Sequence, residues 1–303
     1  MLSVARPVCC RARDRPAGGD APGMPSPRIV LITGASSGIG RETALRFARG
    51  GDTVVAVARQ EPALRALAAE QPGIEIETCE LDDAAARADL VARVLDRHPR
   101  VDVLVNNAGV VAVGLLQDLT GADVERVYST NVIAYADLAR LLLPQMLERG
   151  SGAIVNLSSA AAWVSAPPST IYSSSKFAVD GLIEGLRRET RGTGVLVHSI
   201  NPGPIATNFL AHAAERSPQP GDPEVAPSPG FPAAWVADAV YAAAGARHPL
   251  TRAVPRPMGL LRLAQVPPVG FALDVVMSRL ARPLVDRTQK MVADRTKQLP
   301  RQP

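Results

Sequence analysis

Cysteine is scarce in this chain. Its 303 residues include three, Cys9, Cys10 and Cys79. An adjacent pair and one distant residue fit no zinc spacing and no disulfide framework. A reducing, cytoplasmic compartment is the expected setting. The four histidines, His98, His198, His212 and His248, stand apart from one another, so no metal site is assigned. Aromatic residues make up 4% of the chain against 47% for all hydrophobic types, which implies a core of Ala, Val and Leu. The net charge is +4, but the basic residues are mostly scattered arginines. No dense basic run with interleaved aromatics is present, which argues against a nucleic-acid partner. Unbroken apolar runs of membrane-spanning length are also lacking. The most apolar stretch, 257–292, is cut by Arg262, Pro267, Pro268 and Asp274, so membrane contact is not expected. Residues 1–27 carry Arg6, Arg11, Arg13 and Arg15 among prolines and glycines, without an apolar signal-peptide core. Asp14 and Asp20 count against a transit peptide. A disordered leader is expected here, or a start of synthesis at Met24.

What the chain has is alternation. Arg28 to Thr33 is a short apolar strand, followed by G-A-S-S-G-I-G and a helical pattern through Arg49. Strand, glycine-rich turn and helix are the context of a phosphate-binding motif: glycines admit the pyrophosphate, and the helix N-terminus favours its charge. Thr53 to Ala58 is a second strand, and Arg59 follows it. An acidic residue here would suit the ribose hydroxyls of NAD, whereas arginine suits the 2′-phosphate of NADP. NADP(H) is therefore favoured over NAD(H). Glu61 to Glu70 reads as a helix, Ile74 to Leu81 as a strand, Asp82 to His98 as a helix and Val101 to Val105 as a fourth strand. A helical stretch over Gly121 to Arg149 is expected to break near Pro144. Further strands are expected over Thr193 to Ile200 and Leu250 to Pro255, with a helix over Ala233 to Ala246. The pattern predicts an α/β fold, a doubly wound parallel sheet of Rossmann type with helices on both faces.

The chemistry concentrates in Ala153 to Asp180. A buried strand ends in Ser158 and Ser159, whose side chains should point to opposite faces if the strand continues, and a helix then begins near Ser169 and Thr170. On that helix Tyr172 and Lys176 are four apart and share a face. A lysine ammonium beside a phenol favours the phenolate. A serine, a tuned tyrosine and a lysine at one crevice suggest acid–base work on an alcohol or carbonyl.

Together T-G-A-S-S-G-I-G at 33–40, N-N-A-G at 106–109, Asn131, Ser159, Tyr172 with Lys176, and N-P-G-P-I-A-T at 201–207 resemble the short-chain dehydrogenase/reductase family, in its compact single-domain branch. The likeness runs from about residue 28 to about residue 255. It implies cofactor contacts from Gly34, Ser36, Ser37, Gly38, Ile39 and Gly40, from Arg59, Glu80 and Leu81, and from Asn107, Ala108 and Gly109. It implies further contacts from Tyr172, Lys176, Pro202, Gly203, Ile205 and Thr207. Glu80 replaces an aspartate common in the family, and Ala162 a common glycine. The resemblance assigns Tyr172 as proton donor and Ser159 as the hydroxyl that steadies the substrate oxygen. It gives Lys176 the task of lowering the Tyr172 pKa and holding the nicotinamide ribose, and Asn131 that of placing a water beside Lys176. It also implies a homodimer or homotetramer.

The expected organisation is a domain over 28–256, with a proline-rich substrate lid near 209–232, and a helical extension over 257–303 that caps the pocket or packs on a neighbouring subunit. An apolar lid and tail lean towards an apolar ketone or alcohol. The expected activity is hydride transfer between NADP(H) and that carbonyl or alcohol. The alternatives are a dinucleotide-binding regulatory or scaffold protein on the same fold, and an isomerase or dehydratase that retains its cofactor.

Overall fold

The structure is a computed structural model that describes residues 27–207, 209, 230–276 and positions 279, 282, 283 and 286. All but the last residue of the expected leader and all but the ends of the expected lid lie outside these residues.

Among the described residues, seven strands form one parallel sheet in the order β3-β2-β1-β4-β5-β6-β7. They are β1 Ile29–Thr33, β2 Thr53–Ala58, β3 Ile74–Thr78, β4 Val103–Asn106, β5 Gly152–Leu157, β6 Val195–Pro202 and β7 Thr251–Val254. Helices α1 Gly38–Arg49, α2 Glu61–Glu70, α3 Ala84–Arg97, α4 Gly121–Tyr128, α5 Ala134–Arg149, α6 Thr170–Glu189 and α7 Ala233–Ala244 supply the crossovers and the two outer layers.

Strand alternation builds both faces of the core. In β2, Val54 and Ala56 face the cluster that holds Phe47, Leu64, Leu67 and Val240. Their neighbours Val55 and Val57 face the opposite cluster, with Leu90, Leu138, Leu142 and Val179. Each fully buried side chain of this size contributes about 1.5–3 kcal/mol. Such two-sided burial explains why the strands read as continuous apolar runs.

Two boundaries differ from the sequence expectation in ways that matter for the site. β3 stops at Thr78, so Glu80 and Leu81 sit on the loop before α3, whose N-cap Asp83 accepts from the Ala85 amide. β6 begins at Val195 and continues through Asn201 and Pro202. The expected break at Pro144 is a correction: α5 runs through that proline to Arg149. The interruption falls earlier, at a π-helical turn over Ser129–Ile133 that contains Asn131. Proline sacrifices one helical bond, and α5 holds through its buried Leu138, Leu142 and Met146.

After β7, a 3-10 helix, Arg256–Gln265, and a helix over Pro267–Val276 are bent by 102° to each other. No single described helix is long and apolar enough to cross a membrane.

Candidate active site

The order reverses between β1 and β4, whose carboxyl ends open a crevice of the kind in which α/β sheets bind ligands. Thr33 closes β1, and its hydroxyl clasps the neighbouring motif. It accepts from the amides of Asn107 and Ala108, each at 3.0 Å, while Asn107 Nδ2 donates to the Thr33 carbonyl at 2.8 Å. Glycine is needed where the turn meets that clasp. Gly34 has φ +69°, and a Cβ on Gly40 would lie 2.1 Å from the Gly34 oxygen. The amides that open α1 therefore lie close against the crevice floor.

The crevice is a cavity of about 890 Å³. Every residue expected to touch a cofactor lines it: Gly34, Ser36, Ser37, Gly38, Ile39, Gly40, Arg59, Glu80, Leu81, Asn107, Ala108, Gly109, Tyr172, Lys176, Pro202, Gly203, Ile205 and Thr207. Ser159 lines it too. Arg59 and Glu80 lie 3.7 Å apart at one end, as a partly exposed ion pair. Val110, Val164, Phe209, Met258, Leu261 and Leu273 line an apolar part of the wall. The last three come from the two helices after β7. Phe209 opens the expected lid, and Met258, Leu261 and Leu273 fall in the expected extension, but none of the six carries a site signal of its own, since apolar runs look like any other packing surface.

Asn131 lies behind the wall, fully buried. Its Oδ1 accepts from the Val110 amide at 2.8 Å, and its Nδ2 donates to the Val110 carbonyl at 2.9 Å and to Ser175 Oγ at 3.0 Å. The π turn aims the side chain at this backbone pair. A Cβ on Gly109 would meet Asn131 Oδ1 and Lys176 Nζ at 3.5 and 3.9 Å, so the two side chains flank one glycine.

Ser158 and Ser159 separate as their alternation predicts. Ser158 is buried, and its Oγ lies 3.5 Å from the Lys176 carbonyl. Ser159 caps the short turn Ala160–Ala162, accepts from the Ala161 amide at 3.1 Å and faces the cavity. Ser169 is the N-cap residue of α6 but makes no side-chain cap bond.

One electrostatic expectation is corrected. Lys176 was expected to lower the Tyr172 pKa, yet burial pushes the phenol above its ordinary value, opposed by hydrogen bonding from Ser159. The ammonium is directed elsewhere: Lys176 Nζ donates to the Leu157 carbonyl at 2.8 Å and sits 5.8 Å from the Tyr172 ring centroid. Lys176 itself is buried, which draws its pKa down to about 8 against the opposing charge of Asp180. At neutral pH the pair is therefore a protonated phenol beside a mostly protonated amine. That is the state required to give a proton to an oxygen that gains negative charge.

The family model for short chain dehydrogenases matches residues 28–218. This chain belongs to the short-chain dehydrogenase family. Family relatives include the 2-keto-3-deoxy-L-fuconate dehydrogenase of Xanthomonas campestris, 39% identical over 199 residues, which are 64% of this chain. The chain spans 65% of that enzyme's length, a little under two thirds. A solved family structure from Sphingobium yanoikuyae in complex with NADPH is 30% identical with a TM-score of 0.67, covering 83% of this chain and 95% of that one. Another, from Burkholderia phymatum in complex with NAD, is 28% identical with a TM-score of 0.68, covering 80% and 92%.

Proposed function

We propose that the chain is an oxidoreductase that uses NADP(H) to interconvert an apolar ketone or aldehyde and its alcohol. The observation that carries this reading is the meeting of Ser159, Tyr172 and Lys176 on the wall of one cavity whose other end holds the glycine turn and Arg59. The residues present fit a dinucleotide. Gly40 keeps the turn tight, the open end of α1 offers amides for a pyrophosphate, and Arg59 offers a charge-assisted fork for a 2′-phosphate. When bound, the nicotinamide group supplies or accepts the hydride.

The chain's own residues do the rest. The Ser159 hydroxyl donates to the carbonyl oxygen and holds it towards Tyr172. As negative charge develops on that oxygen, Tyr172 Oη gives it a proton. Fixed donors aimed at a developing oxyanion lower the barrier because they need no reorientation. Lys176, one helical turn on, donates to the Leu157 carbonyl and so ties α6 to the strand end that leads into Ser159. Asn131 holds the Val110 backbone and the rear of this wall. The apolar wall of Val164, Met258, Leu261 and Leu273 supports an apolar substrate.

The test is oxidation of NADPH and of NADH against a panel of polar and apolar carbonyls, with Tyr172→Phe beside the parent. Turnover with NADPH that falls by about 10²–10⁴-fold in Tyr172→Phe is the expected result. Parent turnover that the substitution leaves intact would remove Tyr172 as the proton donor.

A further inference from the structure

We propose that Asp180 is a positioning residue for the Ser159–Tyr172–Lys176 group, acting on Lys176 through its charge and on Ser159 through a chain of hydrogen bonds. This role rests on the oxidoreductase reading above.

Asp180 lies four residues beyond Lys176 on α6, on the same helical face. Its carboxylate sits between two elements that meet at the catalytic serine. Asp180 Oδ2 accepts from Trp163 Nε1 at 3.2 Å, and Trp163 ends the turn that Ser159 caps. Asp180 Oδ1 lies 3.3 Å from Ser199 Oγ on β6. The same Ser199 hydroxyl lies 2.8 Å from Asn201 Oδ1, and Asn201 Nδ2 donates to the Ser159 carbonyl at 3.3 Å. Trp163, Ser199 and Asn201 are all buried. The Ser159 backbone is thus held at its own carbonyl and again four residues later, with Asp180 at the junction.

The chain is short of protons. Ser199 has one hydroxyl proton and faces two acceptor oxygens, one on Asp180 and one on Asn201. Neutral donors alone are poor compensation for a part-buried carboxylate, which needs a cation near it. The cations that feel the Asp180 charge are Lys176 and Arg187 on its own helix. Of these, Lys176 is the buried one, so it has the most to gain from a nearby negative charge. The remaining groups facing Lys176 are Tyr172, the Tyr135 ring on α5 at 5.3 Å and the Leu157 carbonyl on β5, and none carries a negative charge at neutral pH. Burial pulls Lys176 towards the neutral amine, and Asp180 is the group that opposes this. A fixed carboxylate one turn away therefore keeps the ammonium charged while the hydrogen-bond chain keeps the serine in place.

The experiment exploits a compositional accident. The chain has three lysines, Lys176, Lys290 and Lys297, so a [13Cε]lysine-labelled full chain gives three signals, and Lys176→Met assigns one of them. In Asp180→Asn the Lys176 midpoint should fall by roughly one pH unit, and the alkaline limb of kcat/KM should move with it. An unmoved midpoint would overturn the electrostatic role. Ser199→Ala keeps the carboxylate and breaks the chain. It should leave the midpoint in place and lower kcat by about three- to tenfold with NADPH affinity unchanged, and an unchanged kcat would overturn the hydrogen-bond role. Should Asp180→Asn not fold, Asp180→Glu must keep the midpoint while lowering kcat, and a midpoint that falls there refutes the charge argument. The titration reads Lys176 without turnover. A parent that reduces no carbonyl would sink the oxidoreductase reading, and the midpoints would still decide whether Asp180 tunes the lysine.

Discussion

Replacing the proposed catalytic lysine should stabilise the ligand-free protein. Lys176 is buried, and its pKa is drawn from 10.5 to about 8. That displacement corresponds to about 3 kcal/mol that the fold spends on keeping the amine charged. The sign is fixed by linkage. Below pH 8 the lysine is protonated in both states, and the penalty is at its full value. Between about pH 8 and 10.5 the folded state releases its proton before the unfolded state does, so stability rises with pH across this window. Lys176→Met keeps the stem and removes the charge. It also strips a donor from the Leu157 carbonyl, to which Tyr135 Oη still lies at 3.4 Å. Losing that bond costs about 1 kcal/mol, which leaves a net gain of about 1–2 kcal/mol at pH 7. Urea unfolding of parent and variant at a series of pH values from 7 to 10.5 is the assay. The variant should be the more stable at pH 7, with the advantage fading as the pH approaches 10.5. A variant that is less stable at pH 7, or a difference independent of pH, would refute the reasoning.

Three further outcomes follow from the same structure. Gly40→Ala sets a Cβ against the Gly34 carbonyl and Asn107 Nδ2 at 2.1 and 2.5 Å. It should lower thermal stability by about 1–3 kcal/mol and weaken NADPH binding in a fluorescence titration, and normal affinity would mean that the turn relaxes freely. Arg59→Ser should weaken NADPH binding by about tenfold or more while sparing NADH, and equal losses for both would remove Arg59 as the 2′-phosphate contact. His198 is fully buried, its Nδ1 accepts from the Leu250 amide at 3.2 Å, and burial lowers its pKa from 6.5 to about 4, with Arg187 adding to the effect. The folded state therefore refuses a proton that the unfolded state takes up, and about 3 kcal/mol of stability is lost as pH falls from 6.5 to 4. His198→Gln should remove that part of the acid sensitivity in pH-dependent urea melts, and identical acid profiles would mean that His198 takes up a proton in place.

The parts of the site that were readable in the sequence are those whose partners lie within one turn of helix or one strand-turn-helix unit. The glycines of 34–40, the four-residue step from Tyr172 to Lys176 and the alternation of Ser158 with Ser159 follow from local geometry, and each lands where it was expected. The parts that were not readable depend on contacts between distant segments. Asn131 lies in a π turn, and its side chain is bonded to the Val110 backbone, 21 residues earlier, which offers it a donor and an acceptor. Pro144 looked the stronger breaker, because a sequence shows a missing amide but not the packing that compensates for it. The Lys176 ammonium was expected to act on the phenol four residues away, and it is captured instead by a carbonyl from β5, 19 residues away. Asp180 carries no signal in the sequence because its partners, Trp163 and Ser199, lie 17 and 19 residues from it and meet it only once β5 and β6 pair. A pKa follows the same rule. The ordinary value of Tyr172 is a property of the residue, whereas its displacement is set by burial, which exists only after the sheet and α6 have packed together. The candidate for a proton donor can thus be read along the chain, and the direction in which its pKa moves is set by the fold.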